Sequence, residues 1–387
     1  MPGDEGIRCM LMRGGTSKGL YFLAADLPAD PARRDALLLA IMGSGHPLQV
    51  DGAGGAHPLA SKVAVVSRSA EDDADADVDY LFLQLGVEDA TITDRQNCGN
   101  ILAGVGPFAA ERGLIAAGEE STTTRIRMVN SGSVVTATFT TPGGAPAYAG
   151  DTEIDGVPGT AAPVLLRFAG TAGSATGSLL PTGHVTDVVC GIEVTCVDNG
   201  MPVVVARASD LGITGSEGPD ELAANEELTS RINALRLAAG TLMGLGDVAG
   251  LTVPKTTLVS APRNGGTIGT RTFIPVRPHT AIGVLGAVSA ATALLLPGGA
   301  GAELAEFGAR AGHGPDHVID VEHPAGHLKV EVELDNAADP PTVLRAGVVR
   351  TARKLFDGSV FPRPDPTLRP DPTLRPAPAL RPGPARA

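Results

Sequence analysis

Cys98 stands in the run Asn97-Cys98-Gly99-Asn100, directly ahead of an apolar stretch, NILAGVGPFAAER, whose composition predicts a buried helix over 100–112. At such a terminus the unpaired N–H groups and the positive end of the helix dipole favour a thiolate and bind anions. A thiolate in that position is able to act as a general base. The alternative is a small buried hydrophobe, the common fate of a free cysteine; the polar neighbours on both sides argue for chemistry. Lys62 follows a glycine-rich loop, DGAGGAHPLAS, and opens the apolar strand VAVVS. A lysine there either points into a cleft, where it transfers protons or pairs a carboxylate, or stands solvated at a strand end.

Three further features could bind an anion. The turn MRGGTSKG supplies backbone donors together with Arg13, Gly14, Thr16, Ser17 and Lys18. It matches neither a Walker loop nor a dinucleotide fingerprint and suits a carboxylate better than a nucleotide, although a plain polar hairpin turn has the same composition. In the second half, the loops at Asn199–Met201 and Asn264-Gly265-Gly266 offer similar donors. His279 precedes a second apolar stretch, AIGVLGAVSAATALLL, as Cys98 precedes the first, and is either a second proton carrier or a capping histidine. No histidine pair has metal-ligand spacing, and the acidic run at 71–79 lacks the glycine and closing glutamate of a calcium loop, so no metal is expected.

The elements that must position these groups are mostly strands. β-branched runs at 63–67, 78–87, 125–139, 193–197, 203–206 and 328–334 alternate with glycine turns, and helices are expected at 100–112, 221–242 and 281–296. The first and third helices are apolar nearly all round, which marks them as buried. A linker or an irregular segment is expected at 169–183. The order of features repeats: 8–27 resembles 195–211, 51–66 resembles 261–276, 97–114 resembles 278–295, and 130–139 resembles 323–332. That period predicts two similar α/β (α+β) domains, 1–180 and 181–358, facing each other across a cleft. From about Asp357 the text becomes DPTLRP repeats, so 359–387 is expected to be an extended Pro-rich tail.

Composition narrows the partners. The 387 residues carry a formal charge of −13 with 43% hydrophobic content, and no basic run interleaves with aromatics, so nucleic acid is not expected. The opening residues lack a basic run followed by an apolar stretch, so no signal sequence is expected, and no segment has the length and apolarity of a membrane span. The four cysteines fit neither a disulfide framework nor a C-x-x-C site. A cytoplasmic protein is the expectation, with a homodimer as the possible assembly.

Taken together, MRGGTSKG, DGAGG…SKVAVVS, DVDYLF, QNCGNILAGVGPFAAERGL, AGDTEIDGVPG, VTCVDNGMPVV, SAPRNGG and VVRTARKLFDG resemble the PrpF family of isomerases, from Cys9 to Gly358. The resemblance implies the diaminopimelate-epimerase-like fold, in which each of two pseudo-symmetric domains rolls a β-sheet around a central hydrophobic helix. It implies no cofactor, a catalytic cysteine at Cys98 and a catalytic lysine at Lys62. The second half has PHTAIG where the epimerases carry another cysteine, which disfavours a symmetric two-thiol racemase. The loop before Lys62, AHPLASK, departs from the family's pattern at His57 and Ala60. The activity expected is keto–enol tautomerisation of a tricarboxylate, 4-oxalomesaconate, with Arg13 to Lys18, Asn97, Gly99–Asn100, Asn199–Met201, Asn264–Gly266 and His279 around the substrate. Rivals are an aconitate or 2-methylaconitate isomerase and a catalytically silent polycarboxylate-binding protein.

Overall fold

The computed structural model describes residues 6–70, 75–95, 97–307 and 318–363. The Pro-rich tail beyond Arg363, His313, His317 and residues 71–74 of the acidic run lie outside the described residues.

Within them the chain divides into two units. The first takes the chain as far as Glu153, then Gly159–Val164, and again from Arg350; the second takes Ile154–Pro158 and Leu165–Val349. The contiguous halves 1–180 and 181–358 are therefore corrected. The chain returns to its first unit at the end, because residues there pair with the first strand.

In the first unit β1 (Ile7–Gly14), β2 (Ser17–Leu23), α1 (Pro31–Met42), β3 (Lys62–Arg68), β4 (Val78–Leu85), the short β5 (Ile92–Thr93), α2 (Gly99–Glu111), β6 (Ser121–Met128) and β7 (Val134–Thr140) follow in order, then the two-residue strands β8 (Thr152–Glu153) and β9 (Thr160–Ala161). β10 (Pro163–Phe168) leads into the second unit. That unit holds β11 (Asp187–Val189), β12 (Ile192–Asp198), β13 (Pro202–Arg207), α3 (Pro219–Ala224), α4 (Glu226–Leu242), β14 (Lys255–Ser260), β15 (Ile268–Phe273), α5 (Val284–Leu295), β16 (Val318–His323) and β17 (Gly326–Asp335). The long β18 (Thr342–Val360) starts in the second unit, where it pairs with β17, and ends in the first, where Ala352–Val360 pairs with β1. Ladder pairing as far as Val360 is why the tail starts later than Asp357.

The duplication is visible in strand order. In the first unit β1–β2 is antiparallel, β2–β3 parallel, β3–β4 antiparallel, β4–β6 parallel and β6–β7 antiparallel. In the second, β12 through β17 repeat the same alternation. Parallel neighbours need a crossover, and the crossovers are α1, α2, α3–α4 and α5. One pairing of the repeat is corrected: β3 corresponds to β14, so Lys62 is matched by Lys255 and not by the 261–276 segment.

Each sheet wraps a helix. Ile101 to Ala109 of α2 are all buried, and the helix touches β1, β2, β3, β4, β6 and β7. Fully burying one leucine or isoleucine is worth about 1.5–3 kcal/mol, so truncating Leu102 to Ala costs about 2–5 kcal/mol. α5 is buried from Gly286 to Leu294 and touches β12, β13, β16 and β17. The outer faces are covered by α1, which packs Leu38 and Ile41 on Leu20, Phe22, Val63 and Leu83, and by α4, which packs Ile232 and Leu235 with Val204 and Leu258.

Local sequence accounts for the boundaries. Asp30 accepts from the Arg33 N–H, Pro31 opens the first turn of α1 and Gly43 closes it at φ 66°. The expected helix over 221–242 is two helices, because Asn225 leaves helical φ/ψ and caps α4 through its side chain on the Leu228 N–H. The stretch 169–183 is irregular, as expected, but it is no linker. Leu179 and Leu180 are buried, and Asp198 accepts from the N–H groups of Ala175 and Thr176 at 2.7 and 2.9 Å.

Candidate active site

Cys98 is the N-cap of α2, half-buried, in extended backbone. The helix starts at Gly99 because Cys98 O accepts the first helical bond, from Leu102 N–H. A Cβ built on Gly99 would meet nothing within 4 Å, so the space in front of this terminus is open. The β1–β2 turn seats the same terminus. A Cβ on Gly14 would strike Asn100 O, and Gly15, at φ 50°, leaves room for the Asn100 side chain. Asn100 in turn donates from Nδ2 to Thr16 Oγ1 at 3.0 Å.

Lys62 heads β3 with 7% of its surface exposed. It pairs with Gly19 on β2, where a Cβ would strike the Lys62 carbonyl oxygen. Its register partner on β4 is Gln84, and Nζ donates to Gln84 Oε1 at 2.6 Å. Nζ also stands 5.2 Å from the centre of the Phe82 ring, a cation–π contact. Two residues back on the same face, Tyr80 donates from its hydroxyl to Cys98 O at 3.4 Å. Alternation along a strand puts Tyr80, Phe82 and Gln84 on one side of β4, so this one face reaches both the helix terminus that carries Cys98 and the ammonium of Lys62.

The electrostatics sort the neighbours. Burial, and then the nearby Cys98, push the phenols of Tyr21 and Tyr80 well above their usual range, so both stay neutral donors. Burial pulls the Arg350 guanidinium down to about 10, and Cys98 opposes that pull. Arg350 thus places a desolvated cation within electrostatic reach of the thiol. Burial pushes Cys9 and Cys196 up to about 12, so both are inert thiols.

Other sequence candidates fall where their local bonds put them. Arg13 donates from Nη1 to the carbonyls of Gly15 and Thr351 and to Thr351 Oγ1, bracing the β1–β2 turn from behind. Ser17 is 2% exposed, and its hydroxyl has no hydrogen-bond partner among the described residues. The ammonium of Lys18 would stand 3.5 Å from a Cβ on Gly55, over the glycine loop. His57 accepts from Leu59 N–H and starts the short turn before Lys62, with Ala60 closing it. Asn97 donates to Ser131 Oγ at 2.8 Å.

In the second unit Asn199 is wholly buried. Its Oδ1 accepts from Thr171 Oγ1, its Nδ2 donates to Thr292 Oγ1 at 2.8 Å, and its N–H donates to Ser289 Oγ. Ser289 Oγ donates in turn to Met201 O at 2.8 Å. This turn is sewn to α5. The Asn264–Gly266 loop does hold a carboxylate, but the chain's own: Asn264 and Gly266 N–H donate to Glu322 Oε1 at 2.6 and 2.9 Å, and Arg263 N–H to Oε2 at 2.9 Å. Burial alone would raise Glu322; the backbone donors outweigh it and hold the carboxyl below the usual range. His279 is not at the helix terminus. α5 begins at Val284 with Gly283 as its N-cap, and His279 Nδ1 accepts from Ala281 N–H in the preceding turn.

Sequence reasoning missed Gln84, Tyr80, Tyr21 and Arg350. The even spacing of Tyr80, Phe82 and Gln84 in one strand, with a polar residue next to its end, was the available signal for the first two.

Two units of one topology, each a sheet wrapped on a buried apolar helix, make this a diaminopimelate-epimerase-like fold. The comparisons with known proteins are specific within that class. The family model described as PrpF protein matches residues 5–363. A (4E)-oxalomesaconate Delta-isomerase of Novosphingobium sp. (strain KA1) is 58% identical over 353 residues, 91% of this chain and 96% of that protein. A 4-oxalomesaconate tautomerase of Pseudomonas putida (strain KT2440) is 53% identical over 358 residues, 92% of this chain and 96% of that one. The crystal structure of a methylitaconate-delta-isomerase superposes with a TM-score of 0.80 at 33% identity, covering 92% of this chain and 95% of that one. The chain belongs to the PrpF family.

Proposed function

We propose that the protein is an isomerase that moves a proton on 4-oxalomesaconate, with Cys98 and Lys62 as its proton-handling groups. The observation that carries this is the half-buried thiol at the open N-terminus of α2, with a buried ammonium held on the same face of β4. The substrate has a keto group, an acidic methylene beside it and a conjugated alkene. Removing a methylene proton gives an enolate spread over oxygen and carbon, which needs preorganised donors and a cation nearby. The N–H groups at Gly99 and Asn100, the Ser17 hydroxyl and Lys62 would supply them, and Arg350 would balance the charge at Cys98.

Returning the proton to oxygen gives the enol, the tautomerase outcome. A second reading returns it to the far alkene carbon and shifts the double bond; the 58% identity to the Delta-isomerase favours this outcome. Both share the first step. The test is to add purified protein to fresh keto acid and follow enol absorbance and the alkene protons by NMR together, with Cys98→Ser and Lys62→Ala alongside. Loss of a general acid or base should cost about 10²–10⁴ in rate. Rapid enol growth supports tautomerisation, a migrating alkene signal supports the allylic shift, and no rate over buffer removes 4-oxalomesaconate as the substrate.

A further inference from the structure

One edge of β4 pairs with β3 along its length, and the other is shared by two strands that leave a gap. Pairing with β6 ends at Tyr80, whose carbonyl accepts from Val129 N–H at 2.9 Å, and pairing with β5 starts at Gln84. Phe82 lies in the gap, and a side chain serves it. Asn130 Oδ1 accepts from Phe82 N–H at 2.9 Å, and Asn130 Nδ2 donates to Phe82 O at 2.8 Å. The amide stands in for a strand residue, with one acceptor and one donor for the same edge. Its second hydrogen goes to Asp94 O at 2.7 Å, four residues ahead of Cys98. One oxygen and two N–H hydrogens are all an asparagine amide has, and all are placed. Turning it over would set its oxygen against two carbonyl oxygens and its NH₂ against an N–H, so the orientation is fixed.

We propose that Asn130 is a positioning residue that ties the start of α2 to β4 and so fixes the placement of Cys98 relative to Lys62. Phe82, the residue it grips, carries the ring 5.2 Å from Lys62 Nζ. Asp94, the residue it reaches with its remaining hydrogen, leads the chain to the cap. The next residue of the same turn adds a second hold, because Ser131 Oγ accepts from Asn97 Nδ2 at 2.8 Å, one residue before Cys98. The β6–β7 turn therefore grips the approach to Cys98 at two points and the main chain of β4 at a third. Misplacing a reacting group by about 1 Å costs about 10² in rate, so a link that acts on spacing is read in kcat. The catalytic consequence rests on the proposed function; the link between β4 and the helix start does not.

Asn130→Ala removes all three bonds. Asn130→Asp is isosteric, keeps the acceptor for Phe82 N–H and sets a carboxylate oxygen against the carbonyls of Phe82 and Asp94. Asn225→Ala, which removes the side-chain cap of α4 in the second unit, controls for lost stability. With 4-oxalomesaconate, both Asn130 variants should lower kcat about 10²-fold with KM within about threefold, and Asn225→Ala should keep kcat within about twofold. Amide hydrogen exchange reads the link without substrate. Leu102 N–H, bonded to Cys98 O at the start of α2, should exchange about tenfold faster in both Asn130 variants, and Arg112 N–H, bonded to Phe108 O at the far end, should hold its rate. The proposal is overturned if Asn130→Asp turns over like the wild type, if Asn225→Ala loses as much kcat as the Asn130 variants, or if exchange at Leu102 does not move apart from that at Arg112. Should the wild type turn over no 4-oxalomesaconate, the proposed function fails, and exchange at Leu102 alone decides whether Asn130 holds the helix start.

Discussion

The two units share a topology and differ at the corresponding helix terminus. In the first, α2 is capped by Cys98, and Lys62 at the head of β3 is bonded to Gln84. In the second, α5 is capped by Gly283, and Lys255 heads β14; a Cβ on Gly283 would lie 3.6 Å from Lys255 Nζ. Burial holds the Lys255 ammonium below its usual range, and β15, which pairs with β14, holds no glutamine and ends at Phe273 opposite Thr256. The turns differ as well. Ser17 in the β1–β2 turn keeps a buried hydroxyl without a partner among the described residues, whereas Asn199 in the β12–β13 turn has every side-chain group bonded. Duplication has thus left the first copy with a thiol at its helix cap and a serine in its turn, and bonded the corresponding turn of the second to its own helix while keeping a lysine by the helix end.

The sharpest way to break this comparison is to remove each lysine in turn. Lys62→Met should cost about 10²–10⁴ in kcat, whereas Lys255→Met should leave kcat within a few-fold. Steady-state kinetics on the tricarboxylate checks both, and equal losses in kcat would dissolve the distinction between the copies. The turn residues should separate stability from activity. Asn199→Ala leaves the hydroxyls of Thr171 and Thr292 without their partner and should lower unfolding stability by about 2 kcal/mol in urea titrations with kcat intact. Ser17→Ala should change stability by less than about 0.5 kcal/mol and slow turnover instead.

The smallest effect belongs to the internal carboxylate of the second unit. Glu322 is held below the usual carboxylate range in the fold, so the stability it lends is present above the pKa of the unfolded chain and is lost as pH falls through the folded value. Glu322→Gln should melt lower at neutral pH, by about 1 kcal/mol of stability, and the gap to wild type should narrow from roughly pH 5 downward. Calorimetric scans at several pH values would show it; a gap that widens in acid would contradict the assignment.

Much of the architecture was legible because its signals are local. Apolar residues all round α2 and α5 mark helices wrapped by a sheet, and Cys98 and Lys62 stand at element starts that the composition itself delimits. Helix α1 was also legible, in Asp30-Pro31 at one end and Gly43 at the other, yet went unread. What stayed hidden depends on residues far apart in the chain. Gln84 meets Lys62 only through the β3–β4 register, and Arg350 reaches the neighbourhood of Cys98 only because β18 pairs with β1. Asn264–Gly266 has the donors of a carboxylate site, but nothing nearby in sequence announces that Glu322 occupies them. His279 was misplaced because the apolar text from Ala281 conceals the true start, which Gly283 sets.

The pairing of Ile7–Gly14 with Ala352–Val360 also orders events at the ribosome. The first strand is synthesised about 340 residues before its neighbour on one side. At about 5–20 residues per second, that edge waits for roughly 20–70 s before it can be covered. The unit that carries Cys98 is therefore begun before the second unit and sealed after it, and Arg350 joins it only then.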